Sequence, residues 1–289
     1  MKQIILDDMV IGGGTPFILI AGPCVIEDEE TTRKAAISLK DITGRLKLPF
    51  IFKASYDKAN RTSMNSFRGP GMAEGLRILS DIKKDLGIKV LSDVHRFEEI
   101  GPASEILDVM QVPAFLCRQT DFVIEIARKA KVVNIKKGQF LAPWDVKNII
   151  HKACSAGNEN IMVTERGATF GYNNLVVDFR SLPLMREMGY PVIFDATHSV
   201  QLPGGMGTSS GGQNDMVPHL SRAAVAVGVD GIFLEVHPEP EHAKCDGPNS
   251  VRLDSLYDLL CTLIEIDGIV KKMEADEYGE GGRRGKRVS

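Results

Sequence analysis

Several features that would place this chain in other protein classes are missing from its sequence. No apolar run approaches the roughly 20 residues that span a bilayer, and the N-terminus lacks a signal-peptide core with a cleavage site. Charge of one sign is not in excess, because the formal net charge of the 289 residues is -3. These absences argue against membrane and nucleic-acid partners, and they predict a cytoplasmic location.

Cysteine is scarce, and a dinucleotide-binding motif is lacking. Five cysteines, an odd number without a regular spacing, favour reduced thiols over a disulfide framework. No Gly-rich fingerprint follows the first apolar run, which disfavours a doubly wound sheet. What remains is an ordinary globular composition, 43% hydrophobic and 25% charged, with a length that suits one α/β barrel.

Short apolar runs alternate with amphipathic segments along most of the chain. Eight runs are continuously apolar, as expected of strands buried on both faces: residues 17–21, 50–53, 89–92, 109–111, 132–135, 161–164, 191–194 and 231–234. Helical periodicity recurs at residues 29–46, 73–86, 121–130, 143–156, 219–227 and 253–275. The pattern predicts a (β/α)8 TIM barrel, with a doubly wound open sheet as the alternative.

Three further segments lie outside this repeat. Residues 1–14 hold two short apolar pieces around Asp7 and Asp8, then three glycines, which predicts an N-terminal β-hairpin. Residues 201–214 are rich in Gly and Ser and predict a mobile lid. Residues 276–289 offer no apolar face and predict a disordered tail, so residues 1–275 form the single predicted domain.

Ionisable residues follow nearly every predicted strand. In a barrel all strand ends meet at one rim, so residues far apart in sequence converge on one pocket. One subset is cationic: Lys53, Lys58, Arg61, Arg118, Lys136 and Arg166. So much positive charge predicts an anionic ligand with several charges, such as a phosphorylated compound. The alternative is neutralisation by ion pairs with Asp57, Asp93, Glu165 and Asp195.

A second subset has the chemistry of metal ligands. It combines a thiol, an imidazole and two carboxylates: Cys24, His198, Glu235 and Asp246. Such a mixed set suits a divalent ion of the Mn, Fe, Co or Zn class with an open coordination position, provided that a barrel brings the four together. The alternative for Cys24 is a small buried hydrophobe, as a lone cysteine at a strand end commonly is.

Long stretches around these strand ends resemble one enzyme family. The stretches are residues 52–61 (FKASYDKANR), 113–121 (PAFLCRQTD), 134–144 (NIKKGQFLAPW), 165–167 (ERG), 170–178 (FGYNNLVVD), 194–201 (FDATHSVQ) and 235–240 (EVHPEP). They are similar to 3-deoxy-D-manno-octulosonate 8-phosphate synthase, over about residues 14–270. The resemblance implies a homotetrameric (β/α)8 enzyme that condenses phosphoenolpyruvate with arabinose 5-phosphate for lipopolysaccharide biosynthesis.

The resemblance also implies roles for individual residues. Lys58, Lys136 and Arg166, with the backbone at Gln111 and Ala114, are implied to hold phosphoenolpyruvate. The implied catalytic residues are Lys58, Asn60, His198 and Asp246. The implied substrate-binding residues are Lys53, Ser55, Lys58, Asn60, Arg61, Thr62, Asp93, Gln111, Ala114, Phe115, Arg118, Lys136 and Arg166.

The basic loop after the second strand bears on the choice of sugar. By resemblance Asn60, Arg61 and Thr62 hold the sugar phosphate, and Arg118 arrives from a neighbouring subunit. The related synthase that uses erythrose 4-phosphate is the alternative within this class, but its loop typically reads Lys-Pro-Arg-Thr-Ser. This chain instead has Lys58-Ala-Asn-Arg-Thr-Ser63, so Asn60 favours the five-carbon sugar.

The family has metal-dependent and metal-independent forms, which carry Cys or Asn, respectively, after the first strand. Cys24 therefore resembles the metal-dependent form, whereas the sequence Cys245-Asp-Gly-Pro248 occurs more often in the metal-independent form.

Two functions of other classes also remain open. One is a Schiff-base aldolase that uses Lys53 or Lys136, and the other is a non-catalytic phosphosugar-binding barrel.

Overall fold

The chain folds into alternating strands and helices. The computed structural model describes residues 1–61, 63–204 and 211–281, with side chains up to residue 276. Its strands are β1 (Gln3–Leu6), β2 (Met9–Gly12), β3 (Ile18–Gly22), β4 (Phe50–Lys53), β5 (Lys89–Asp93), β6 (Val109–Val112), β7 (Val132–Lys136), β8 (Ile161–Glu165), β9 (Ala168–Thr169), β10 (Leu175–Val176), β11 (Val192–Asp195), β12 (Gln201–Leu202), β13 (Gly211–Gly212), β14 (Gly231–His237) and β15 (Val251–Arg252). Its α-helices are α1 (Glu29–Leu46), α2 (Met72–Leu86), α3 (Phe97–Ile106), α4 (Thr120–Lys129), α5 (Val146–Ser155), α6 (Ser181–Arg186), α7 (Val217–Val227) and α8 (Leu256–Gly281).

Eight parallel strands close into a barrel. They pair in the order β11, β8, β7, β6, β5, β4, β3 and β14, and β14 pairs again with β11 to complete the circle. In that last pairing Ile193 lies opposite Gly231. The predicted (β/α)8 barrel is confirmed, and the open sheet is excluded because neither edge of the barrel sheet stays unpaired.

The side chains of the barrel strands alternate between two apolar layers. Leu19 and Phe52 belong to the layer that packs against the helices, whereas Ile20 and Ile51 belong to the barrel interior. Two residues beyond an interior apolar side chain, seven strands bear a buried polar one: Lys53 after Ile51, Asp93 after Leu91, Gln111 after Val109, Asn134 after Val132, Thr164 after Met162, Asp195 after Ile193 and Glu235 after Phe233. The two-residue period of a strand therefore directs these polar groups inward at the carboxyl end of the barrel.

An N-terminal hairpin covers the opposite end of the barrel. Strands β1 and β2 pair antiparallel, and their turn contains Asp7 in a left-handed conformation (φ 54°) that an aspartate tolerates. Ile4, Leu6 and Ile11 are buried in the same apolar cluster as the barrel interior. The predicted hairpin is confirmed, and its apolar face fills the amino-terminal end of the barrel.

Some predicted segments differ from the structure. Helices α3 and α6 were not among the predicted segments; α3 contains Pro102, and α6 has only six residues. Helix α8 continues to Gly281, so residues 276–281 of the predicted disordered tail are helical, and residues 282–289 lie outside the described residues. The centre of the predicted lid, residues 205–210, also lies outside them, and its two ends pair as β12 and β13. Among the described helices none is long and apolar enough to cross a membrane.

One glycine in a helix is a test of how closely the outer layer is packed. A Cβ on Gly75 in α2 would lie 2.2 Å from Cβ of Tyr56 and 3.1 Å from its Cα. We expect Gly75→Ala to lower the free energy of unfolding by about 1–3 kcal/mol, because overpacking moves the helix away from its neighbour. Urea denaturation measures the change.

The matched control is Gly44→Ala in α1, where a Cβ would meet nothing within 4 Å. There alanine only removes the flexibility of glycine, so we expect an increase in stability of about 0.5–1 kcal/mol. Equal stability of the two variants would show that α2 can shift without cost.

Candidate active site

A cavity of about 200 Å³ opens at the carboxyl end of the barrel. Ten of the residues predicted to bind substrate line it: Lys53, Lys58, Asn60, Arg61, Asp93, Gln111, Ala114, Phe115, Lys136 and Arg166. His198 and Asp246, which were predicted to be catalytic and to bind metal, line it as well. The barrel therefore brings together residues from seven of its eight strand ends and from the loops that follow them.

Three predicted substrate-binding residues are not in this lining. Ser55 is fully buried, and its Oγ has no hydrogen-bond partner among the described residues. Arg118 is exposed, and its carbonyl oxygen accepts a hydrogen bond from Lys152 Nζ at 3.0 Å. Its predicted role in a neighbouring subunit stays a prediction. Thr62 lies outside the described residues.

The cavity also contains residues that the sequence did not single out. His95 Nε2 lies 3.0 Å from Asp93 Oδ2, and the motif Asp93-Val-His95 at a strand end was the available signal. Gln201 accepts a hydrogen bond from Arg166 Nη2 at 2.9 Å and donates one to Asp246 Oδ1 at 3.2 Å. This uncharged side chain joins the cationic subset to the metal-ligand subset, and nothing in its sequence context indicated that.

The cations of the cavity are only partly neutralised by ion pairs. Lys136 Nζ pairs with Asp195 Oδ2, and Lys53 Nζ pairs with Glu235 Oε1 at 2.9 Å. By contrast, Arg61 and Arg166 form no ion pair with any described residue, and Nη1 of the buried Arg166 has no hydrogen-bond partner there. Lys58 Nζ also lies 3.8 Å from Glu235 Oε1, so ion pairing among the described residues accounts for three of the cations, and the guanidinium groups are left to bind an anion.

Burial lowers the pKa of two of these cations. It lowers the pKa of Lys136 to about 8, although the nearby Asp195 carboxylate opposes the shift. Burial also lowers the pKa of Arg166, which stays above any physiological pH because its ordinary value is so high. An anionic ligand between Lys136 and Arg166 would stabilise both charges.

Five potential metal ligands form two overlapping groups at the cavity. Cys24 Sγ lies 2.8 Å from Cys245 Sγ and 3.4 Å from Asp246 Oδ2. His198 Nε2 lies 3.5 Å from Glu235 Oε1 and 3.9 Å from Asp246 Oδ2. Within each group the ligand atoms lie within 4.8 Å of one another, and Asp246 belongs to both. The four predicted ligands are divided between the two groups, which share Asp246, and Cys245 is an addition to them.

The chemistry of this donor set fits a divalent cation. Glu235 is fully buried, and its Oε2 has no hydrogen-bond partner among the described residues. His198 Nδ1 lies 2.7 Å from Asp195 Oδ2, which leaves Nε2 directed toward the carboxylates, as in carboxylate–histidine–metal arrangements. Burial, together with Cys245, raises the pKa of Cys24, and a bound cation reverses such a shift.

Similar proteins narrow the interpretation of this site. Residues 2–272 match the DAHP synthetase I family. The 2-dehydro-3-deoxyphosphooctonate aldolase of Geotalea uraniireducens (strain Rf4) is 63% identical over 271 residues, which cover 94% of this chain and 100% of that protein. Its namesake from Geobacter sp. (strain M21) is 64% identical over 271 residues (94% and 99%), and that of Geobacter sulfurreducens is 62% identical over 270 residues (93% and 99%).

These identities extend over nearly the whole of each chain, so the likeness is not limited to the barrel architecture. The region matched by the family, residues 2–272, contains the strand-end stretches that line the cavity. The resemblance inferred from the sequence is confirmed: this chain belongs to the DAHP synthetase I family, among proteins that bear the name 2-dehydro-3-deoxyphosphooctonate aldolase.

Proposed function

We propose that the chain condenses phosphoenolpyruvate with D-arabinose 5-phosphate and water to give 3-deoxy-D-manno-octulosonate 8-phosphate and inorganic phosphate, for lipopolysaccharide Kdo biosynthesis. The name borne by its relatives supports this reaction. The observation that carries it is the cavity itself, in which Arg61 and Arg166, cations without a carboxylate partner among the described residues, flank a cluster of metal ligands. Two phosphorylated substrates need such separate cationic positions.

The two substrates are assigned to different depths. Lys136 and Arg166 are buried and hold the phosphate and carboxylate of phosphoenolpyruvate, whereas Asn60 and Arg61 at the rim hold the sugar phosphate. This arrangement brings C3 of the enol against the aldehyde carbon. The new bond joins those two carbons, water adds at C2, and phosphate leaves with cleavage of its C–O bond. To Lys58 Nζ we assign stabilisation of the oxyanion that develops from the aldehyde oxygen.

We also propose that Cys24, His198, Glu235 and Asp246 hold a divalent ion of the Mn, Fe, Co or Zn class. A bound ion supplies a Lewis acid for the water or for the aldehyde oxygen. Asp195 orients His198 through Nδ1, and Lys53 holds Glu235 through Oε1. Buried partners therefore fix the orientation of both of these ligands. Lys53 has no free nitrogen lone pair while it pairs with Glu235, which disfavours a Schiff base there.

The protein is proposed to act as a homotetramer in the cytoplasm. Phe115 lines the cavity although 54% of its surface is exposed, and Arg118 is exposed on the same segment. A neighbouring subunit would cover this segment and contribute Arg118 to its cavity. Sedimentation equilibrium of the wild-type protein and of Arg118→Ala tests the tetramer separately from the contribution of the side chain.

The choice of sugar is the direct test of the proposed reaction. We expect phosphate release from phosphoenolpyruvate with arabinose 5-phosphate, and a lower kcat/KM with erythrose 4-phosphate, because Asn60 and Arg61 form the rim that meets the sugar phosphate. Mass spectrometry of the product confirms the eight-carbon acid. An equal or higher kcat/KM with the four-carbon sugar would refute the assignment, and a covalent adduct trapped by borohydride would favour a Schiff-base aldolase.

The pH dependence follows from Lys136, whose pKa is lowered by burial to about 8. This amine binds an anion only while protonated, so kcat/KM for phosphoenolpyruvate should be sustained below about pH 8 and fall as pH rises through that value. In Lys136→Arg the guanidinium keeps its charge, so the alkaline fall should move to higher pH. Superimposable profiles would show that Lys136 does not control the alkaline limb.

A further inference from the structure

A second thiol lies beside the proposed metal site. Cys245 Sγ is 2.8 Å from Cys24 Sγ, and both cysteines are 96% buried, with only 4% of their surface exposed. The two sulfurs and one carboxylate oxygen of Asp246 lie within 4.8 Å of one another. None of the roles derived above uses Cys245, although it belongs to the same group of ligand atoms as Cys24 and Asp246.

We propose that Cys245 is a second thiolate ligand of this site, so that the chain binds its ion through two sulfurs. The inference rests on the metal site of the proposed function and goes beyond its four ligands. Two neighbouring sulfurs bound at about 2.3 Å to one ion stand about 3.3–3.8 Å apart, for S–metal–S angles between about 90° and 109°. The pair therefore opens by roughly 0.5–1 Å to admit the ion, a movement that side-chain rotation supplies.

The backbone presents Cys245 and Asp246 together. Asp246 adopts a left-handed backbone conformation (φ 50°), and a turn begins at the next residue. At the next position a Cβ on Gly247 would lie 2.3 Å from the Pro240 carbonyl oxygen, so the turn is packed closely against its own segment. This packing fixes the loop that bears both ligands, and an adjacent pair of ligands loses little entropy on binding.

The charges around the site can balance a second thiolate. Two thiolates and two carboxylates carry four negative charges, and a divalent ion cancels only two of them. Arg61 Nη1 donates a hydrogen bond to Cys245 Sγ at 2.8 Å, and Lys53 Nζ donates to Glu235 Oε1 at 2.9 Å. These two cations supply the remaining positive charge within contact distance of the ligands.

Two sulfur ligands change the class of ion that the site prefers. Thiolates favour the softer Zn²⁺, Co²⁺ and Cd²⁺, whereas Mn²⁺ prefers oxygen ligands. With Cys245 as a ligand, the affinity ratio of Cd²⁺ to Mn²⁺ should be higher than a single cysteine would give. This narrows the Mn, Fe, Co or Zn class to its thiophilic members.

The test replaces each cysteine in the full-length protein and loads it with Co²⁺. Thiolate-to-cobalt charge transfer gives a near-ultraviolet absorbance that scales with the number of bound sulfurs, independently of catalysis. We expect Cys24→Ser and Cys245→Ser each to keep about half of the wild-type absorbance per bound Co²⁺. Cys245→Ser should also lose about tenfold or more in Cd²⁺ affinity, measured by chelator competition, with little change for Mn²⁺.

Cys261→Ser, a half-buried cysteine in α8, is the matched control and should leave the absorbance unchanged. If Cys245→Ser does not fold, as judged by circular dichroism, Cys245→Ala gives the same readouts. Wild-type absorbance and an unchanged Cd²⁺ to Mn²⁺ ratio in a folded Cys245 variant, with loss of both in Cys24→Ser, would overturn the inference and leave the four-ligand site intact. If the wild-type protein does not bind Co²⁺, both this inference and the proposed four-ligand metal site are overturned.

Discussion

Lys136→Met is expected to lower kcat/KM for phosphoenolpyruvate by roughly 10²- to 10³-fold, the range found when one preorganised hydrogen-bond donor is removed from an active site. Lys136 is buried at the base of the cavity, where a charge interacts with an anion more strongly than it does in water. The fold should survive, because Asp195 keeps hydrogen bonds from Thr197 Oγ1 and the His198 backbone NH. Steady-state kinetics and circular dichroism together measure the two effects.

The matched control is Lys147→Met, which removes the same charge from an exposed position on α5. It should leave kcat/KM within about twofold of wild type, since surface charges are screened over such distances. If Lys136→Met kept the wild-type KM and kcat, phosphoenolpyruvate would have to bind through other cations, and the assignment of depths within the cavity would be wrong.

Removal of the metal is the second large effect that we expect. A chelator should lower the activity of the wild-type protein on the order of a hundredfold or more, because the ion contributes several kcal/mol, and a divalent metal should restore it. Cys24→Asn places the side chain of the metal-independent form in a chain that already contains Cys245-Asp-Gly-Pro248. We expect this variant to retain a lower activity that the chelator does not change.

Metal analysis of the purified protein is the control for that experiment. A wild-type protein that contains no divalent metal and keeps full activity in chelator would contradict the metal proposal. Cys24 would then be a buried thiol packed against Cys245 and Phe67. The proposed condensation would stand on the cationic cavity alone.

The sequence predicted the barrel because its strands are buried on both faces. Each of the eight apolar runs became a strand, and the predicted bounds differ from the observed ones by at most three residues, as for residues 231–234 against β14. Most of the extra residues are polar, such as Glu235 and His237, and hydropathy cannot distinguish these from a loop. The residues predicted at the strand ends nevertheless line the cavity at the carboxyl end of the barrel.

The contacts between the loops were harder to predict. That Gln201 joins Arg166 to Asp246, and that Cys245 meets Cys24, depends on the path of two loops relative to the barrel. Such paths are set by close packing, as at Gly247, and not by any local periodicity. The ion pairs of the cavity were likewise only partly predicted from the sequence. The partner of Lys53 is Glu235, which the sequence indicated only as a metal ligand.

The N-terminal hairpin has a consequence for the order of events during turnover. Ile4, Leu6 and Ile11 fill the amino-terminal end of the barrel, so molecules reach the cavity from its carboxyl end. A sugar phosphate seated at Asn60 on the rim would stand between the solvent and Lys136 at the base. We therefore expect the substrates to bind in sequence, with phosphoenolpyruvate first, because the packed amino-terminal end leaves the carboxyl end as the route into the cavity.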